Sequence, residues 1–173
     1  MPIIIRTCAE CTGSTARLEM IHFCRGEIKM LKRILYPIDG SDVAECALDQ
    51  AIYLAEATGS EIFVLHVVED DKKLDHSSLS ILRKIGEEFV RKASKKIERH
   101  GIVAHLTVVD GKPCPEIINL AKSNKIGMIV MGTHGTGGLT RALLGSVADK
   151  VIRTSSCPVL LVPMPQKREI AGG

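Results

Sequence analysis

Residues 127–147 read GMIVMGTHGTGGLTRALLGSV. The stretch opens on an apolar run, Gly127 to Thr133, of the kind a parallel sheet buries on both faces. It passes into a loop holding Gly132, Gly135, Gly137 and Gly138. Helical spacing follows from Leu139 to Arg153, interrupted by Gly145. Strand, glycine loop and helix in that order form one unit of an α/β fold.

The same alternation runs outward through the chain. Arg33 to Ile38 reads as a first strand, and Ser41 to Thr58 as a helix with apolar residues at 44, 47, 48, 51, 54 and 55, stopped by Gly59. Glu61 to Val68 is a second strand. A long charged helix spans 77–100, with Leu79, Leu82, Ile85, Phe89, Ala93 and Ile97 on one stripe and Gly101 at its end. Val103 to Val109 is a third strand. Pro113 to Asn124 is a short helix, begun by a proline where a missing N–H costs little. Gly127 to Thr133 is the fourth strand and Cys157 to Val162 the fifth. Repeated strand–helix alternation predicts an α/β fold with an open five-stranded parallel sheet and helices on both faces. Ligands of such sheets bind beyond the carboxyl ends of the strands, where strand order reverses. The loops after the first and fourth strands are therefore the places to look.

Composition narrows the field. The chain has 173 residues, 45% of them hydrophobic and 25% charged, close to the globular average. Aromatics are only 3%, with no Trp, which leaves little to stack single-stranded bases upon. A net charge of +3, from 23 basic and 20 acidic residues, argues against a strongly electrostatic nucleic-acid or membrane-surface binder. No apolar run approaches membrane-spanning length. The N-terminal Met-Pro-Ile-Ile-Ile-Arg is too short for a signal-peptide core, so a cytoplasmic location is expected. Residues 1–29 lack clean periodicity and read as an N-terminal extension, disordered or not translated. Residues 30–165 read as the domain and 166–173 as a flexible tail.

The glycine loop has the makings of a phosphate site. Glycines let a ligand approach the backbone, and successive turn amides converge into an anion-binding nest. Ser146-Val147-Ala148-Asp149 has the S-x-x-D form of an N-cap with an acidic third position. A helix starting there would aim free N–H groups and its positive end into the loop. Two standard phosphate motifs are excluded. G-x-x-x-x-G-K-[ST] is absent. G-x-G-x-x-G fails because Thr140 stands where the third glycine belongs, and because these glycines follow the fourth strand. In the first-strand loop, Asp39 can accept from a ribose hydroxyl or an adenine amino group; its simpler reading is an acid at a helix N-terminus.

At these two loops together the chain resembles the universal stress protein family in its nucleotide-binding branch. That family carries G-x2-G-x9-G-[ST] after its fourth strand, and Gly132, Gly135, Gly145 and Ser146 match every fixed position. Residues 32–41 resemble its first strand and turn, His66-Val67 the end of its second strand, and residues 157–163 its last strand. The resemblance implies strand order 3-2-1-4-5 and an ATP- or AMP-binding protein; hydrolysis would bring Mg²⁺ with the phosphates. It implies that Pro37, Ile38, Asp39 and Val67 hold adenine and ribose. It implies that Met131, Gly132, Gly135, Gly145, Ser146 and Val147 hold the phosphates, with His134 facing them. One departure is Ile38, where the family commonly has Thr; the other is the extension 1–29.

Three functions compete at this stage. The first is a nucleotide-gated signalling module of the stress response. The second is a slow Mg²⁺-dependent ATPase, for which the loop offers Thr133, His134, Thr136, Ser146 and Arg141 but no recognised base. The third is a dimeric interaction protein without ligand. A homodimer is expected through the fifth strand, whose apolar edge ends the sheet. Cys8, Cys11, His22 and Cys24 form a four-ligand Zn²⁺ candidate of unfamiliar spacing. The remaining cysteines, 46, 114 and 157, read as free thiols. The basic residues of the helix 77–100 are interleaved with Glu87, Glu88 and Glu98, which reads as a solvated face.

Overall fold

A computed structural model describes residues 31–69, 75–135 and 144–164, together with the backbone of residues 3–5. The elements in chain order are β1 (Ile3–Ile5), β2 (Arg33–Pro37), α1 (Asp42–Thr58), β3 (Glu61–Glu69), α2 (His76–Glu98), β4 (Ala104–Gly111), α3 (Pro113–Ser123), β5 (Met128–Gly132), α4 (Ser146–Thr154) and β6 (Val159–Val162). They form one sheet in the order β1-β6-β5-β2-β3-β4. The five strands read from sequence are β2 to β6, parallel, in the expected order 3-2-1-4-5. One feature is corrected: the fifth strand does not end the sheet. β1 lies outside it, antiparallel, with Ile3 opposite Leu161 and Ile5 opposite Val159. The Zn²⁺ candidate, the rest of the N-terminal extension and the C-terminal tail lie outside the described residues.

Alternation along the buried strands divides the core between two faces. Ile34, Tyr36, Ile62, Val64, Val130 and Leu160 turn toward α1 and α2, against Ala47, Leu48, Ala51, Val90, Ala93 and Ile97. Leu35, Phe63, Leu65, Ile129, Met131, Val159 and Leu161 turn the other way, onto Ile117, Ile118 and Ala121 of α3 and Ala148, Val151 and Ile152 of α4. The inner parallel strands therefore need apolar residues on both faces, which is why they read as runs and not as alternation, whereas β4, at the sheet edge, is nowhere fully buried.

Helix α1 begins where Ser41 Oγ accepts from the Ala44 N–H (3.2 Å), and it stops at Gly59. Helix α3 begins on Pro113, as its sequence predicts. Helix α2 departs from the expected stripe: Leu82 and Ile85 are exposed, and the buried line runs Gly86, Val90, Ala93, Ile97. The reason is Gly86, which seats directly against the His66 ring, where any Cβ would collide. The closest approach of α2 to the sheet is thus centred on Gly86, and the flanking leucine and isoleucine turn outward. Among the described residues no helix is long and apolar enough to cross a membrane.

Candidate functional site

Strand order reverses between β2 and β5: from β2 the chain moves outward through β3 and β4, then returns to β5 and β6 on the other side. Their carboxyl ends open on one edge of the sheet, and a cleft of about 380 Å³ lies there. That is within the range of roughly 300–1,000 Å³ typical of small-molecule sites. The residues assigned to the nucleotide from sequence all line it: Pro37, Ile38 and Asp39 at the end of β2, Val67 in β3, Met131, Gly132, His134 and Gly135 at the end of β5, and Gly145, Ser146 and Val147 at the start of α4; Thr136 and Arg141 lie outside the described residues. Residues 136–143, the middle of the glycine loop, lie outside the described residues.

The first loop is held from several directions. The Ile38 N–H donates to the Leu65 carbonyl (2.9 Å). His66 Nδ1 lies 2.8 Å from the Ile38 carbonyl. A carbonyl only accepts, so this nitrogen carries the proton. The His66 ring in turn packs edge-on against Phe89 of α2, with ring centroids 5.5 Å apart. His66, which resemblance marks at the end of the second strand, thus acts from behind the cleft and not as part of its lining. Ile38 is itself buried in the core beneath α1, and its backbone N–H is already committed. What remains for a ligand there is the second lone pair of its carbonyl.

Asp39 serves two purposes. Its Oδ1 accepts from the Ser41 N–H (3.0 Å) and the Ser41 hydroxyl (2.7 Å), which ties it to the α1 N-cap. This is the simpler reading of the residue, and it holds for that oxygen. Oδ2 faces across the cleft: a Cβ on Gly135 would sit 2.6 Å from it. The glycine loop and the acidic loop therefore meet at one point with no room for a side chain between them.

The second loop is built on backbone. The Thr133 N–H donates to the Val162 carbonyl (3.0 Å), and the Gly145 N–H donates to the Thr133 carbonyl (2.8 Å). A Cβ on Gly145 would press on Thr133 O and His134 Cα at 3.1 and 3.2 Å. Thr133 Oγ1 and His134 Nδ1 are 2.8 Å apart. The sequence placed the α4 N-cap at Ser146; the structure places it at Gly145, with no side chain capping the helix. Asp149, the acid of the anticipated capping box, pairs instead with Arg153 one turn on. Ser146 becomes the first helical residue. Gly145 has no side chain with which to cap the leading N–H groups of α4, and these point with the positive dipole end toward the cleft.

Sequence reasoning did not single out Glu69, Pro113 and Ile117, which complete the wall. Glu69 ends β3 and Pro113 opens α3 directly after β4. All parallel strands finish on the same edge, so the residue following each was a candidate on topology alone. The described lining includes the carboxylates of Asp39 and Glu69 but no Lys or Arg. Attraction for an anion there comes from amides and the helix dipole. Behind the cleft, the Tyr36 hydroxyl donates to the Ala44 carbonyl (2.8 Å) in a buried setting. Burial, and then the nearby carboxylates of Asp39, Glu45 and Asp49, push its phenol well above its ordinary value. It stays neutral and braces α1 against β2. Among the described residues no group of three His, Cys, Asp or Glu stands close enough to hold a metal ion.

Comparison with known proteins agrees with this architecture. The sequence model of the universal stress protein family matches residues 30–163. Universal stress protein MJ0531 of Methanocaldococcus jannaschii is 37% identical over 145 residues, which cover 80% of this chain and 85% of that one. The solved structure of MJ0577 from the same organism aligns with a TM-score of 0.69 at 34% identity, covering 79% of this chain and 98% of that one. The universal stress protein of Archaeoglobus fulgidus, solved in complex with dAMP, shares the fold with a TM-score of 0.61 at 23% identity, covering 77% and 98%. With its sheet order, its glycine loop and these relatives in agreement, the chain belongs to the universal stress protein family.

Proposed function

We propose that the protein binds an adenine nucleotide in this cleft and works as a nucleotide-gated module of the cytoplasmic stress response. The observation that carries the reading is the meeting of Asp39 Oδ2 with the side-chain-free Gly135, beside the uncapped start of α4. A carboxylate suited to ribose hydroxyls and a row of amides suited to phosphate then lie on opposite walls of one cleft. Between them Pro37, Val67, Met131 and Ile117 offer an apolar floor for a base without any aromatic stacking. The dAMP complex of the Archaeoglobus fulgidus relative supports the nucleotide class. Mg²⁺ would reach the site on the phosphate oxygens, where the Ser146 and Thr133 hydroxyls would offer it neutral oxygen donors; it would offset charge between the phosphates and the carboxylates of Asp39 and Glu69.

Isothermal titration of the full chain with ATP and with AMP tests this. Saturable binding is expected, and Gly145→Val should weaken it at least about tenfold while circular dichroism is unchanged, since its side chain presses on the loop backbone. Failure of both nucleotides to bind, with none recovered from the purified protein, would overturn the proposal. Phosphate release measured in the same samples separates gated binding from turnover: the proposal expects no more release from the wild type than from Gly145→Val.

A further inference from the structure

The edge of β6 is occupied by the chain's own N-terminus, and this carries an inference independent of the nucleotide reading. β6 is four residues long, buried throughout and without a charged side chain, and Pro158 and Pro163 bound it. Apolar edges of this kind, with no charge to guard them, are templates for another strand. β1 fills that position antiparallel to β6, although every other strand of the sheet is parallel. A second β6 brought alongside the first by a two-fold axis would also run antiparallel. The two candidates would use the same row of N–H and C=O groups, so only one fits at a time.

We propose that Ile3–Ile5 is a built-in occupant of the β6 edge that holds off a second copy of this chain, and that self-association requires its release. The competition has a definite scale. Because residues 6–32 join β1 covalently to β2, the occupant is presented at an effective concentration on the order of millimolar. A second copy at micromolar concentration therefore starts at a disadvantage of about a thousandfold. Yet β1 is only three residues long, so the hold is short enough to be broken when the second copy brings further contacts. The extension thereby sets the concentration at which this chain pairs with itself.

Sedimentation velocity across a micromolar concentration series tests the proposal on the full chain. The comparison is between wild type and a variant carrying Ile3→Asp, Ile4→Pro and Ile5→Asp, with Ile4→Pro alone as the milder form. The milder form disturbs only the backbone pairing of one residue, and circular dichroism verifies the fold of both. The variant is expected to dimerise with a dissociation constant at least about tenfold lower than the wild type. Hydrogen exchange at the outward amides of Val159 and Leu161 should show protection in dilute wild type and in concentrated variant, but not in dilute variant. Equal association of the two proteins would overturn the proposal. So would a wild-type dimer that the substitutions abolish, which would mean that β1 is exchanged between copies.

Discussion

The smallest decisive feature is the contact between Gly135 and Asp39. Adding one methyl group at 135 drives it into Asp39 Oδ2, the oxygen that faces the cleft. Gly135→Ala is therefore expected to weaken nucleotide binding about tenfold or more, read by titration. Gly135 is exposed, so stability should change by no more than about 0.5 kcal/mol, read by urea unfolding. Gly86 makes the opposite case. In an ordinary exposed helix, alanine in place of glycine would stabilise by about 1 kcal/mol. Here the new methyl collides with the His66 ring, which cannot swing away without giving up the Ile38 carbonyl. Gly86→Ala should instead destabilise by about 1–3 kcal/mol, as overpacking does. An increase in the urea midpoint would show that the ring gives way.

At the scale of elements, helix termini and the α1–α2 pair do the positioning. Ser41 caps α1 and also holds Asp39 Oδ1, so one hydroxyl joins a helix start to a wall of the cleft. Ser41→Ala should cost about 1 kcal/mol in urea unfolding and also weaken nucleotide binding. A capping role alone would leave affinity untouched. Glu45 and Asp49 of α1 pair with Lys92 and Lys96 of α2, and Glu56 of α1 with His100 just beyond the end of α2. These pairs are exposed at the surface, and each contributes roughly 0–1 kcal/mol. Their effect is to orient the basic face of α2 toward α1. Arg83 pairs with Asp110 of β4 and Arg91 with Glu88. The charge-rich helix is thus a solvated face, as the interleaved glutamates suggested, with Arg91 and Glu88 paired along it and the other pairs reaching α1 and β4.

For the whole molecule, the buried acids that stay protonated set the alkaline limit of stability. Burial pushes the Cys157 thiol above its ordinary 9.0, and burial with nearby carboxylates pushes Tyr36 far above its ordinary 10.0. Both groups lose their protons in the unfolded chain before they do in the folded one. The unfolded state then binds fewer protons, and stability falls as pH rises through that window. Below about pH 8 neither contributes an appreciable slope. Above pH 10 Tyr36 alone should add a decline approaching about 1.4 kcal/mol per pH unit. Urea midpoints taken from pH 7 to pH 11 are expected to be level with respect to these two groups and then to drop, and Tyr36→Phe should flatten the upper part of the drop. A midpoint that rises above pH 10 would contradict the assignment.

Most of this architecture was legible along the chain because its determinants are local or periodic. Apolar runs two faces deep, the proline opening α3 and the glycine stopping α1 act through neighbours in sequence. The spacing of Gly132, Gly135, Gly145 and Ser146 likewise announced the loop that lines the cleft. What escaped that reading depends on contacts between distant segments. Ser146 looks like a cap in isolation, but the Gly145 N–H is drawn to the Thr133 carbonyl and moves the helix start by one residue. Leu82 and Ile85 look like core, but the fit of Gly86 on His66 turns them to solvent. The β6 edge looks open, yet strand pairing depends on which backbone groups lie alongside, and only the folded chain brings Ile3–Ile5 there. The sequence by itself determined the elements, their order and the chemistry of the loops. The tertiary structure alone decided which surfaces those elements bury, at which residue α4 starts and which sheet edge is already taken.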